Sequence, residues 1–275
     1  MEENRKRHEI INAPYNPVTG LGAVGERKKI SIKDSPIGDM YLPVELIKEN
    51  LFIRRLAKYG FKGYIIRFIK EVEYSEEALN QLWIEFIKYR IIYDFEYWAY
   101  SFIFIKDKVS PKDIPFKLNR AQRRVLNKLE KLRKAGKPIK FILLKARQWG
   151  GSTLVQIYML WIMLVHRRNW NTVICGDVET QSRNVRAMIT KALNKYPSYL
   201  LGETVKFTPF EGSSKNKVIQ NTNCVVSIGS FQKPDTLRSG DISGAHLTEI
   251  GLWRATPGKK PEDLIQSISG SIYDT

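Results

Sequence analysis

The sequence predicts an α/β fold: a parallel sheet flanked by helices, preceded by a helical N-terminal region. Two observations carry this. From about residue 139 onward, short apolar strand-like runs alternate with helical patterns, the signature of crossover connections. Before that, apolar residues recur at helical spacing from about Val44 to Ile105. The 275 residues, 43 % of them apolar, suffice for one sizeable α/β domain and a smaller helical piece.

Residues 1–42 mix charge with Gly and Pro and predict an extended N-terminal arm. Residues 43–110 form a helical subdomain, in which Gly60 and Gly63 separate a first helix from a second. Its aromatics, Trp83, Phe86, Tyr89, Tyr93, Phe95, Tyr97, Trp98, Tyr100 and Phe102, suit either base stacking or core packing, and their helical spacing favours the core. Residues 111–275 form the α/β core. A basic helix spans Ala121–Ala135. Ile139–Leu144 predicts a buried strand, Ser152–His166 a helix apolar nearly all round, Thr172–Cys175 a second strand and Glu179–Lys195 a helix. Lys217–Gln220 and Cys224–Ile228 flank Asn221-Thr222-Asn223 as a hairpin would. Gly244–Thr248 is a last short strand, ending in Glu249.

The formal net charge is +17. Residues 101–200 carry 21 Lys and Arg against 5 Asp and Glu, nearly the whole surplus. A surplus confined to one stretch points to a phosphate-bearing partner, nucleic acid ahead of membrane. Cys175 and Cys224 lie in strand-like runs without metal-ligand spacing and suit reduced core positions. His8, His166 and His246 are scattered, which disfavours a zinc site. The N-terminus lacks the apolar stretch of a signal peptide, and the longest apolar run, Leu154–Val165, is too short to span a bilayer.

The chemistry concentrates at Lys145-Ala146-Arg147-Gln148-Trp149-Gly150-Gly151-Ser152-Thr153. Strand, glycine loop and helix together place backbone N–H groups and a helix N-terminus against phosphate oxygens. Gly150 and Gly151 permit close approach, and Ser152 stands where a hydroxyl ligates Mg²⁺. The common pattern G-x-x-x-x-G-K-[ST] is not met: Gly151 occupies its lysine position and Lys145 its first glycine. Lys145 and Arg147 can supply the cation from the front of the loop, since an ammonium acts as a point charge. In ATPases with an extra strand between their two nucleotide motifs, a strand-terminal acidic pair holds Mg²⁺ and polarises water. Here Thr248-Glu249 ends the apolar strand, with Glu249 as candidate general base and Thr248 offering a hydroxyl in place of the usual Asp.

Three segments in this order resemble the large terminase subunit of tailed bacteriophages. Phe116-Lys117-Leu118-Asn119-Arg120-Ala121-Gln122 looks like that family's adenine-recognition segment, Lys145–Thr153 like its variant Walker A loop, and His246–Trp253 like its Walker B strand. The resemblance covers roughly residues 90–275 and implies a P-loop NTPase of the ASCE type: the ATPase motor domain of a viral DNA-packaging machine, driving double-stranded DNA into a procapsid. It implies ATP and Mg²⁺ as cofactors, with Gln122 reading adenine, Lys145 and Arg147 contacting phosphates, Ser152 and Thr248 serving Mg²⁺, and Glu249 activating water. Arg238 is a candidate phosphate-sensing or trans-acting arginine. It further implies a homo-oligomeric ring, portal-protein and small-terminase-subunit partners, no membrane, and work in the host cell cytoplasm. The family's C-terminal nuclease domain has no counterpart here, so a core truncated at its C-terminal end and no nuclease activity are expected. The substitutions at Gly151 and Thr248 support an alternative: a degenerate nucleotide-binding or DNA-binding scaffold without significant turnover.

Overall fold

The computed structural model describes residues 14–69, 74–107, 109–144, 149–234 and 242–272. The chain divides into two compact units, Met1–Ile103 with Pro115–Lys131, and Phe104–Ile114 with Leu132–Thr275.

In the first unit, β1 (Arg27–Ser31) and β2 (Asp39–Pro43) pair antiparallel, Lys29 opposite Tyr41. Part of the stretch expected to be an extended arm is therefore a hairpin. It folds because Met40 and Leu42 of β2 are wholly buried, whereas β1 offers only half-buried and exposed positions. Helices α1 (Val44–Glu49), α2 (Leu51–Phe68), α3 (Glu76–Tyr93) and α4 (Phe95–Phe102) follow. The Asn50 side chain caps α2 by accepting from the Ile53 N–H, and Ser75 caps α3 through Ala78. Such caps contribute about 1 kcal/mol each. Gly60 parts α2 into two helical segments across a kink, as expected: at φ 73°, ψ 176° the backbone is non-helical and open to glycine, and a Cβ there would stand 2.8 Å from the Lys33 Cβ. The Phe61 N–H donates to the Lys33 carbonyl, fastening the kink to the β1–β2 loop.

The aromatics of α3 and α4 build the core. Phe86 and Trp98 are fully buried, Phe95, Tyr97 and Phe102 nearly so, and Trp83 stacks on Phe86. Among them lies an ionic network. Asp94, which also caps α4, pairs with Arg27 at 2.9 Å and Arg90 at 3.1 Å, and Glu96 accepts from the Val24 N–H at 2.6 Å. Burial alone would raise the Asp94 carboxyl, but the two guanidinium groups hold it below its usual range. Burial pushes Glu96 up to about 7 against the pull of Arg27.

Strands β3 (Phe104–Lys106) and β4 (Asp113–Pro115) form a two-stranded sheet, and the second unit carries a five-stranded sheet in the order β6 (Phe207–Phe210), β7 (Ser213–Ile219), β8 (Cys224–Ser230), β5 (Asn171–Gly176), β9 (Gly244–Leu247). The expected parallel sheet is only partly parallel. β5 runs parallel to β8 and β9, while β6, β7 and β8 form an antiparallel meander. The cause is local: Ile219 faces Cys224 across the turn that Asn221-Thr222-Asn223 closes, with Asn223 left-handed at φ 53°, and a tight turn reverses the chain. Helices α6 (Gly151–Trp161), α7 (Glu179–Leu193) and α8 (Pro261–Ser271) belong to this unit, and a π-helical turn over Ile162–His166 extends α6. Val173, Cys175, Phe231, Ile242, Trp253, Leu264 and Ile268 form one buried cluster, in which Phe231 and Trp253 stack at 5.0 Å. Cys175 and Cys224 are both free and buried. Helix α5 (Arg120–Lys134) bridges the two stretches of sequence.

The buried strand expected at Ile139–Leu144 is not formed. These residues lie in no strand, and Ile142 and Leu144 are almost fully exposed. An apolar run becomes a strand only where a neighbour offers a free hydrogen-bonding edge. β5 already has β8 on one side and β9 on the other, and the run does not pair with the outer edge of β9.

Candidate functional site

The parallel strands β8, β5 and β9 end level with one another. Gly176 lies opposite Ser230, Cys175 opposite Leu247, and the ladder continues one step through Thr248 N–H donating to the Cys175 carbonyl at 2.8 Å. Ligands of open α/β sheets bind at such carboxyl ends. Helix α6 begins with Gly150 as its N-cap, left-handed at φ 85°, with no side chain capping the first turn. The N-terminus of a helix that starts in this way suits an anion. Gly151 is buried, while Ser152 and Thr153 are half-buried. Trp149 and Gly150 are the first described residues of the loop; Lys145, Ala146, Arg147 and Gln148 lie outside the described residues, as does Arg238.

Inside the unit, α6 is fastened to β9. The Gln156 amide nitrogen meets His246 Nδ1 at 2.5 Å, both residues buried. This bond ties the glycine-led helix to the strand that ends in Thr248 and Glu249. Thr248 is buried, Glu249 exposed. Glu249 is itself left-handed at φ 56°, ψ 37°, a conformation that costs a residue with a Cβ about 1–2 kcal/mol. The chain turns there into the short Ile250–Leu252 helix.

Three residues at this edge escaped the sequence reading. Gln181, on α7, accepts from the Asp177 N–H at 3.0 Å and donates to Glu249 at 3.4 Å. Asp177 follows β5 as Glu249 nearly follows β9, and its carboxylate accepts from Gln232 at 2.8 Å. Burial, and after it Asp177, pushes the Cys175 thiol up to about 12. The missed signal was plain: Gly176-Asp177 closes an apolar strand just as Thr248-Glu249 does.

The fit to Mg²⁺ follows from these donors. Among the described residues, no group of three or more His, Cys, Asp or Glu is placed to hold a metal. Ser152 and Thr248 offer only hydroxyls, which suits an ion that keeps several waters and leans on substrate phosphates. Gln122 belongs to the first unit and is buried at 4 % exposure. Its carbonyl oxygen accepts from the Asn119 N–H at 2.9 Å, and its own N–H donates to the Asn119 side chain at 2.9 Å. That reciprocal pair is a capping box that starts α5.

No protein-family model matches the chain, and no curated protein matches it. Among solved structures, the HK97 bacteriophage large terminase is similar, with a TM-score of 0.50 and 20 % identity. The chain has a terminase-like fold. The match covers 66 % of this chain and 35 % of that one, so the chain spans about a third of the phage protein's length. No described helix is long and apolar enough to cross a membrane.

Proposed function

We propose that the chain is the ATPase motor domain of a viral DNA-packaging terminase, a P-loop NTPase of the ASCE type that couples ATP hydrolysis to translocation of double-stranded DNA into a procapsid. One observation carries the reading: the glycine-led helix α6 is bonded through Gln156 and His246 to the strand that leads into Glu249, on a terminase-like fold. The α6 N-terminus receives phosphate oxygens, with Lys145 and Arg147 supplying cations from the front of the loop. Mg²⁺, when bound, neutralises charge developing on the phosphates. Ser152 and Thr248 would hold it through their hydroxyls. Glu249 orients and deprotonates the attacking water, with Gln181 steadying its carboxylate. Gln122 reads the adenine edge, and Arg238 senses phosphate or acts in trans on a neighbouring protomer. Double-stranded DNA lies against the 101–200 basic surface, and the working form is a homo-oligomeric ring at the portal, with a small terminase subunit, in the host cytoplasm.

Phosphate release from ATP and Mg²⁺, with and without duplex DNA, tests this. Glu249→Gln and Lys145→Ala are each expected to lower the rate at least tenfold, Glu249→Gln without loss of nucleotide binding. Unchanged rates in both variants refute the site assignment. A second reading rests on Gly151 and Thr248, which stand where lysine and aspartate are usual: a scaffold that binds nucleotide or DNA and turns over little. Nucleotide binding without detectable phosphate release, in the presence of DNA, would favour it.

A further inference from the structure

Helix α2 carries Arg54, Arg55, Lys58, Lys62 and Arg67 and no acidic residue. Acidic residues farther along the chain conceal this in any segment average of charge. Among the described residues, none of these five cations forms an ion pair; Arg54 is spent on the Lys48 carbonyl. The other four are organised on aromatic rings. Arg55 lies over Phe68 at 4.5 Å, Arg67 over Tyr59 at 4.7 Å, Lys58 over the same ring at 5.1 Å, and Lys62 over Tyr74 at 4.7 Å. Tyr59 and Phe68 sit 5.6 Å apart, and Tyr64 meets Phe68 at 5.0 Å. The kink at Gly60 makes this possible, because Arg55 and Tyr59 precede it and Arg67 and Phe68 follow it. Lys58, Lys62, Arg67 and Phe68 are exposed, Arg55 half-buried.

We propose that this face of α2 is a second nucleic-acid contact, gripping the phosphates of duplex DNA independently of the nucleotide site. The stacking decides which part of the nucleic acid it fits. The faces of Tyr59 and Phe68 are occupied by cations and neighbouring rings, which leaves them poorly suited to unstacked bases. A cation held over a ring is restrained in place, and a guanidinium so restrained can still offer its N–H groups to phosphate oxygens in pairs. Four cations with no interspersed acid match a continuous polyanion better than a single anion.

Fluorescence anisotropy with a 30-base-pair duplex, without nucleotide and across a salt series, tests the proposal; a chain that hydrolyses no ATP still answers it. The quadruple variant Arg55→Gln, Lys58→Gln, Lys62→Gln, Arg67→Gln should bind at least about tenfold more weakly, with the slope of log K against log salt smaller by roughly two to four. A double variant, Tyr59→Leu with Phe68→Leu, keeps every charge and loses the platform; it should bind a few-fold more weakly with the slope unchanged. Circular dichroism and melting temperature establish that both variants are folded. A quadruple variant with wild-type affinity and slope overturns the proposal, and a double variant with wild-type affinity overturns the role given to stacking. Polyglutamate of matched charge that competes as well as duplex overturns the choice of nucleic acid in favour of an acidic protein chain.

Discussion

Glu96 makes the stability of the first unit sensitive to pH in the neutral range. One oxygen accepts from the Val24 N–H and lies 3.7 Å from the Arg27 guanidinium, and the carboxyl is buried. Burial and, less strongly, the Asp94 carboxylate favour the protonated form, while Arg27, the Val24 N–H and the Tyr15 hydroxyl pull the other way without cancelling the rise. The folded carboxyl titrates at about 7, against an unfolded value of 4.5. Between those values the native state holds a proton that the unfolded chain has released. Stability therefore falls as pH rises through this window. The interval of 2.5 units corresponds to about 3 kcal/mol, as an order of magnitude. Glu96→Gln removes the titration and keeps a carbonyl oxygen for Val24. Urea unfolding from pH 5 to 8 should show the native chain losing up to about 3 kcal/mol while the variant loses far less, so that the variant is the more stable at pH 8. Asp94 acts in the opposite direction only in acid, since its depressed carboxyl contributes stability that is lost as pH falls below its ordinary value of 3.8. Parallel pH profiles for the two proteins between 5 and 8 would refute the reasoning.

Gln122→Glu keeps the capping acceptor for Asn119 but loses the amide donor, whereas Gln122→Ala loses both. The alanine variant should be less stable by about 1 kcal/mol. If the amide also reads adenine, the glutamate variant should melt like the native chain yet lose preference for ATP over GTP in steady-state KM; retained preference with lost stability in the alanine variant would leave Gln122 as a cap alone. The exposed run at Ile139–Leu144 is an aggregation liability. Ile142→Lys with Leu144→Lys should lower light scattering on heating and leave unfolding free energy within about 0.5 kcal/mol; a loss of several kcal/mol would mean that the run is buried in solution.

The elements legible in the sequence are those whose period is set by burial on one face. The β7–β8 hairpin, β5 and the helices α3, α6 and α7 carry their apolar residues at the spacing their geometry demands. The β1–β2 hairpin was hidden because β1 is Arg-Lys-Lys-Ile-Ser, polar along most of its length, and is held by partners far away in sequence: Arg27 reaches Asp94. The kink in α2 was legible as a break at Gly60, but its fastening to Lys33 is tertiary. Ile139–Leu144 failed for the opposite reason. Its hydrophobicity was plain, but a strand is a relation between two backbones, and apolar content does not reveal whether an edge is free. At the candidate site, Gly150, Ser152 and Glu249 were legible from spacing, while Asp177, Gln181 and Gln232 were not, because only the level ends of β5, β8 and β9 bring them together.

Two left-handed residues frame that site, and they differ in a way that bears on function. At Gly150 the conformation costs little, because glycine has no Cβ. At Glu249 the same region of backbone space is occupied by a residue with a Cβ, at about 1–2 kcal/mol. Asp34, Asn169, Glu211 and Asn223 are also left-handed, but none of them follows a strand paired to the core strand β5. Glycine at 249 would relieve the backbone and lose the carboxylate that Gln181 holds. A cost accepted in order to keep one carboxylate at the carboxyl edge of the sheet, on the strand bonded to the glycine-led helix, is the pattern expected of a group that acts on what the helix binds.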